Sequence, residues 1–319
     1  MILSSILVDN ILTAPVIAFV VALAATLLRF DLRIPDALYP ILSTFLLLAI
    51  GIKGGKALSE SSPAELWQPL LAAIAIGVIT PLIAYALFRK TAKLDITNAA
   101  ALAAHYGSVS AVTFTVLIST LDSQGISYEG YVSGLLAVLE IVGIVVALFL
   151  AHKFSAGTDW KSGLSEVVRG KSIAFLVAGL LIGVIVGPDR LTPTDPLFVG
   201  LFSGALTLFL IELGAIAANR LRDFNGAGIR VVVLAIVVPL INGSIGAVLG
   251  SAAGMSVGGV AVMATLAASA SYIAAPAAIR IALPEASPGI YVTASLGITF
   301  PFNLIVGIPL YIKIAEYLG

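Results

Sequence analysis

Two clusters of hydroxyl, glycine and aromatic residues stand where apolar, membrane-length sequence has no need of them. The first, His105-Tyr106-Gly107-Ser108-Val109-Ser110, interrupts the middle of residues 99–121. The second, Ser269-Ala270-Ser271-Tyr272, interrupts residues 264–283, with Pro276 just beyond it. Non-helical backbone at membrane depth survives only when it is buried in protein or lines a watery cavity. A break there starts a new half-helix near the bilayer centre, at Ser110 in one stretch and near Ala274 in the other. A helix start carries roughly +0.5 charge and up to four N–H groups without an intrahelical partner. Two such starts facing each other make a site for a small oxyanion. Gly107, Val109 and Ala274 supply backbone. Ser108, Ser110 and Thr113 supply hydroxyl donors from one side, and Ser269, Ser271 and Tyr272 from the other. Pro276 suits the first turn of the second half-helix. Ser, Thr and Gly also serve as packing and interhelical glue in membranes, and each hydroxyl taken alone allows that role.

Ionisable groups at mid-span are costly and are functional candidates by default. Glu140 and Glu212 are such groups, and Asn303 lies one position from the repeat equivalent of Glu140 (below). A carboxylate with carbonyl oxygens at this depth suits a sodium ion, so Glu140 and Asn303 are candidates for coupling-ion binding or gating. The alternative for either Glu is a protonated side chain hydrogen-bonded within the bundle. His105 has the chemistry of a proton shuttle and equally that of a neutral core residue. No Lys or Arg falls at mid-depth, so the charge of a bound anion needs a co-bound cation. Arg280, near the end of its span, snorkels to the interface.

These residues need spans to hold them. Of 319 residues, 60% are hydrophobic and 11% charged, against roughly 25% charged in an ordinary soluble domain. That balance predicts an all-α polytopic membrane protein, with the lipid bilayer as its solvent. Ten stretches are each long enough for a ~30 Å hydrocarbon core: 14–28, 34–52, 66–88, 99–121, 128–151, 172–186, 197–218, 229–253, 264–283 and 290–314. Residues 153–171 form the only extended loop. The formal net charge is zero, which gives no footprint for nucleic acid, and the absence of cysteine excludes disulfides and thiolate metal sites. The first residues, Met1-Ile-Leu-Ser-Ser-Ile-Leu, lack the basic n-region of a cleaved signal peptide.

The basic residues divide unevenly between the two faces. Lys53, Lys56, Arg190 and Lys313 lie on the side of the termini, and the other thirteen of the 17 Lys and Arg lie opposite. The positive-inside rule then puts both termini outside an inner (plasma) membrane and the 153–171 loop in the cytoplasm. The chain also repeats. At a shift of 164 residues, Leu102-Ala103-Ala104 falls on Leu266-Ala267-Ala268, and Ile141-Val142-Gly143-Ile144 falls on Ile305-Val306-Gly307-Ile308. Five spans per half is an odd number, so the second half must sit inverted. The predicted fold is two inverted five-helix repeats, residues 1–152 and 172–319, joined by the linker at 153–171, with spans 4 and 9 broken. This is the plan of many secondary transporters.

The sequence resembles the sodium-dependent bicarbonate transporter family best known from cyanobacteria. The resemblance covers nearly the whole chain and is most specific at IGIKGGKAL (50–58), YGSVSAVTF (106–114), the Gly125-Ile-Ser-Tyr-Glu run and SASYIAAPAAIR (269–280). It implies core and gate domains each built from both repeats, a homotrimer, elevator-type inward movement of bicarbonate with sodium, and control by a PII-like regulatory protein. It matches Gly107, Ser110 and Thr113 to the family's first substrate-binding break, and Ser269, Ser271 and Pro276 to the second. Two departures stand out. Tyr272 occupies the place of an Asp associated with sodium, and Glu140 replaces an Asp that is one methylene shorter.

The sequence therefore points to a secondary active transporter of a small anion, with bicarbonate as substrate, sodium as coupling ion and no other cofactor. A carrier of another anion, or a proton-coupled exchanger using Glu140 and His105, stays open. An intramembrane enzyme is disfavoured by the lack of Cys, of an HExxH motif and of paired Asp residues. A passive channel is a further alternative.

Overall fold

The structure, a computed structural model, describes residues 13–30, 32, 34–35, 37–154, 159–222 and 228–318. The N-terminal residues expected to lack a signal peptide, together with Arg33, lie outside the described residues, as do linker residues 155–158. The chain is helical: α1 (Ala14–Leu27), α2 (Leu38–Glu60), α3 (Pro63–Lys90), α4 (Ile96–Gly107), α5 (Ala111–Gln124), α6 (Val132–Phe154), α7 (Trp160–Val168), α8 (Lys171–Val186), α9 (Phe202–Arg222), α10 (Gly228–Ala252), α11 (Val257–Ala268), α12 (Ala274–Ala282) and α13 (Pro288–Leu318). Local chemistry sets several ends. The side chains of Ser62, Asp95, Ser110 and Ser256 accept first-turn amides of α3, α4, α5 and α11. Gly125, at φ 68°, terminates α5 in the left-handed conformation.

Among the described residues, seven spans are long and apolar enough to cross a membrane: α2, α3, α4–α5 taken together, α6, α9, α10 and α13. A 115° bend between Ile173–Val186 and Pro188–Thr194 joins two pieces into an eighth. The ten expected stretches all appear as helix in the expected order, but α1 has 14 residues and α11 has 12. The cause in span 9 is the break itself, which leaves α11 and the 9-residue α12, each short of the roughly 20 residues a crossing needs.

The linker departs from expectation. Instead of an extended loop, Trp160–Val168 is helix α7. Its start is capped by Asp159, whose carboxylate accepts the Ser162 N–H at 3.2 Å, and Leu164, Val167 and Val168 recur at helical spacing. Gly163 of α7 rests on Ala278 and Ala282 of α12 and on Leu148 of α6. The last helix departs as well. Within α13, Thr293–Thr299 and Asn303–Gly307 are wound more loosely, as π-helix, a distortion frequent at functional sites.

Packing sorts the helices into two groups. In the first, α1 lies on α9, α2 lies on α8, and α2 also touches α9. In the second, α3 packs on α4 and α6, α10 packs on α11 and α13 in the same pattern, α5 packs on α11, and α12 meets α4. The stretch α4–α5 is 94% buried, against 39–67% for the other six long spans, so the first broken element sits at the centre. Leu71, Ile185, Val233 and Val248 stay exposed and suit contact with lipid.

The α2–α8 contact depends on four glycines spaced four apart, Gly51 and Gly55 on one helix and Gly179 and Gly183 on the other. A Cβ on Gly183 would sit 2.6 Å from the Cα of Gly55, and one on Gly55 would fall inside the Leu180 carbonyl. Close backbone approach of this kind is how small residues join membrane helices. Gly55→Leu is expected to lower thermal stability in detergent by about 1–3 kcal/mol. Gly134→Ala, with nothing within 4 Å of the added carbon, should leave it unchanged. Equal melting curves for the two variants would contradict this packing.

Candidate functional site

Both interruptions are breaks. The first occupies Ser108–Ser110, between α4 and α5, and the second occupies residues 269–273, between α11 and α12. They are tied to each other through their backbones. The Ser110 N–H donates to the Ser269 hydroxyl oxygen at 2.9 Å, and the Ser271 N–H donates to the His105 carbonyl at 2.7 Å. Each start keeps a serine for itself: Ser110 Oγ accepts the Thr113 N–H at 3.1 Å, and Ser271 Oγ accepts the Ala275 N–H at 3.1 Å. The half-helices diverge from there. α5 runs toward the beginning of α6, while the far end of α12 meets α7 and Leu148, near the end of α6. Their positive ends therefore converge on one place from opposite sides.

That place is a narrow cavity of about 20 Å³, room for roughly one water-sized particle. The second group lines it with Val109, Ser110, Ala111, Val112 and Thr115, with Glu140, and with Ser271, Tyr272, Ile273 and Ala274. The first group closes it with Ser43, Leu46, Leu47 and Ile50 of α2 and with Phe209 of α9. No Lys or Arg is among the lining residues. Glu140 is 4% exposed, and its Oε2 has no hydrogen-bond partner. An orphaned buried carboxylate oxygen calls for an explanation, and a bound cation supplies one. No group of three or more His, Cys, Asp or Glu able to hold a metal occurs among the described residues. The donor set is one carboxylate with hydroxyl and carbonyl oxygens.

The remaining expected residues stand behind this wall. Gly107 closes α4. A Cβ on it would lie 2.5 Å from Pro81 of α3, and one on Gly143 of α6 would fall inside the Gly107 carbonyl. The Ser108 hydroxyl faces the Glu140 backbone carbonyl at 3.4 Å. Thr113 is buried, with its hydroxyl unpartnered. Ser269 Oγ, besides accepting from Ser110, donates to the Leu266 carbonyl at 2.8 Å. Asn303 is not at the cavity wall. Its amide donates to the Ala268 carbonyl at 2.9 Å and so satisfies the end of α11. Glu212 accepts the Ile34 N–H at 3.1 Å, which makes it a cap on the segment before α2. His105 is fully buried. Its Nδ1 lies 2.7 Å from the Ala101 carbonyl, its ring packs on Tyr291, and its Nε2 has no partner. The Tyr272 ring packs edge-on against Phe300 at 5.1 Å, and its hydroxyl faces Ser110 without reaching hydrogen-bond geometry.

Sequence reasoning missed Ser43, Phe209 and the loosened turns of α13. The loosened turns place Thr299 so that its hydroxyl donates to the Ala235 carbonyl at 2.6 Å and meets the Tyr106 hydroxyl at 2.6 Å. The proline-bearing run Thr299-Phe300-Pro301 is the one sequence signal of irregular winding there.

Two facing helix starts beside a carboxylate suit small ions of both signs. The family model of the Na+-dependent bicarbonate transporter superfamily matches residues 14–316, nearly the entire chain. The chain belongs to this superfamily. It is a transporter and not an enzyme. No curated protein matches the sequence significantly. Within the superfamily match, both breaks, Glu140 and the glycine-rich face of α2 fall inside the matched residues. Tyr272 fills the position after the second serine with an aromatic ring, and Glu140 is the single carboxylate at the cavity wall among the described residues.

Proposed function

We propose that the protein is a secondary carrier that imports bicarbonate together with sodium. The observation that carries this reading is the convergence of the α5 and α12 starts and the orphaned Glu140 carboxylate on one small cavity, which must widen beyond its present room for one water-sized particle, as the first helix group draws away, to admit the anion and the cation. The helix starts attract the anion, the carboxylate attracts the cation, and each neutralises the other in a site without Lys or Arg. Superfamily membership supports both ligands. Ser110, Ser271 and the amides of Ala111, Val112 and Ala274 hold the anion. Glu140 holds the sodium, and Ser108, Thr113, Ser269 and Asn303 fix the broken backbone.

The mirrored packing of the two halves supports an inverted repeat of residues 1–152 and 172–319. In this reading the ten segments cross the membrane, with the termini outside and the linker cytoplasmic. The first helix group acts as the gate scaffold and the second as the moving core of an elevator. The sequence resemblance supports a homotrimer and a PII-like regulator.

Uptake of labelled bicarbonate into proteoliposomes tests the proposal. An inward sodium gradient is expected to raise the initial rate at least about tenfold over an equal potassium gradient. Sodium-independent uptake would remove the coupling. Faster uptake of another anion in a competition panel would replace the substrate. A rate that follows a proton gradient instead would favour an exchanger built on the unpartnered atoms of Glu140 and His105.

A further inference from the structure

We infer that Lys53, Asp122 and Tyr128 form a latch between the two helix groups, one that must open each time the core moves past the scaffold. The inference rests on the elevator reading above. Lys53 belongs to α2 of the scaffold, whereas Asp122 lies in the last turn of α5, the half-helix whose start faces the anion. Lys53 Nζ lies 2.6 Å from Asp122 Oδ2 and 2.7 Å from the Tyr128 hydroxyl, which in turn donates to Asp122 Oδ1 at 2.9 Å. The ammonium also stands 5.4 Å from the centre of the Tyr128 ring. The Tyr128 hydroxyl thus accepts from the ammonium and donates to the carboxylate, bridging the ion pair.

These three residues line a second cavity of about 480 Å³, in which Lys53 and Asp122 are the only charged wall residues among those described. Ile50 belongs to the walls of both this cavity and the small one between the breaks. The three side chains therefore form a closed triangle on the wall of the larger cavity, joining the two helix groups in the arrangement that leaves this cavity open. The strength of the latch fits the task. The side chains of Lys53 and Asp122 are 48% and 50% exposed, and such pairs are weak. One turn away, Lys56 pairs with Asp195 at 3.0 Å. Asp195 lies in the turn after α8, so that pair stays within the scaffold and has no reason to break.

The chain has no cysteine, which allows a direct test on the full-length carrier. Sodium-driven uptake is first measured for Lys53→Cys/Asp122→Cys and for Lys56→Cys/Asp195→Cys, so that loss of transport itself is seen separately. A short, reducible thiol crosslinker is then expected to lower uptake at least about tenfold in the first pair, reversed by reductant, and to leave the second pair unchanged. Full uptake with the 53–122 crosslink in place would overturn the latch, as would equal inhibition in both pairs. A second readout needs no crosslinker. Ile118→Cys, on the wall of the large cavity, is expected to react about two- to fivefold more slowly with an impermeant maleimide when Lys53 is also changed to Met, because an exposed ion pair of this kind biases an equilibrium by about that factor. An unchanged rate would contradict the proposal.

Discussion

Glu140→Gln is expected to cut sodium-driven uptake at least about tenfold, the equivalent of about 1.4 kcal/mol of lost ion binding. The exchange keeps the shape of the side chain and removes its charge. Glu140 Oε2 has no protein partner to lose, and the contact with Ser108 runs through the Glu140 backbone carbonyl. The fold should therefore persist, and the melting temperature should not fall. The loss should appear as a higher sodium concentration for half-maximal uptake, with a smaller change for bicarbonate. Glu140→Asp retains the charge one methylene further from the cavity and should recover much of the activity. A Gln variant with unaltered sodium dependence would remove Glu140 from the coupling site.

Gly143→Val should have the larger effect, lowering uptake by about a hundredfold or more while the protein still inserts. The carbonyl of Gly107 occupies the space a Cβ at position 143 would need, and Pro81 presses on Gly107 from the other side. Added carbon on α6 must push the end of α4, and with it Ser108–Ser110, out of place. Binding constellations tolerate displacements of about half an ångström, and an overpacked core gives way by more than that. Gly134→Ala lies on the same helix with nothing within 4 Å of the new carbon, so it should transport normally. If Gly143→Val and Gly134→Ala behaved alike, the first break would not be the element that sets the site.

Both breaks were legible in the sequence because Gly, Ser and Pro at mid-span oppose the apolar helix around them. Glu140 was legible because a carboxylate at that depth is costly without a partner. Ser43 and Phe209 were not, since neither stands out within α2 or α9 and only tertiary packing brings them to the cavity. Glu212 and Asn303 carried the same mid-span signal as Glu140, yet they satisfy the Ile34 amide and the Ala268 carbonyl. A polar residue answering a backbone group and one answering a ligand look identical until the backbone path is known. α7 was missed because its nine residues sit in a polar segment whose apolar members show a face only once α12 is there to receive them.

The most direct test is an experimental structure of the carrier with bicarbonate and sodium at saturating concentration. The expected result is anion density within about 3 Å of Ser110 and Ser271, between the starts of α5 and α12, with a cation beside Glu140. Anion density confined to the larger cavity near Lys53, with nothing between the two starts, would contradict it.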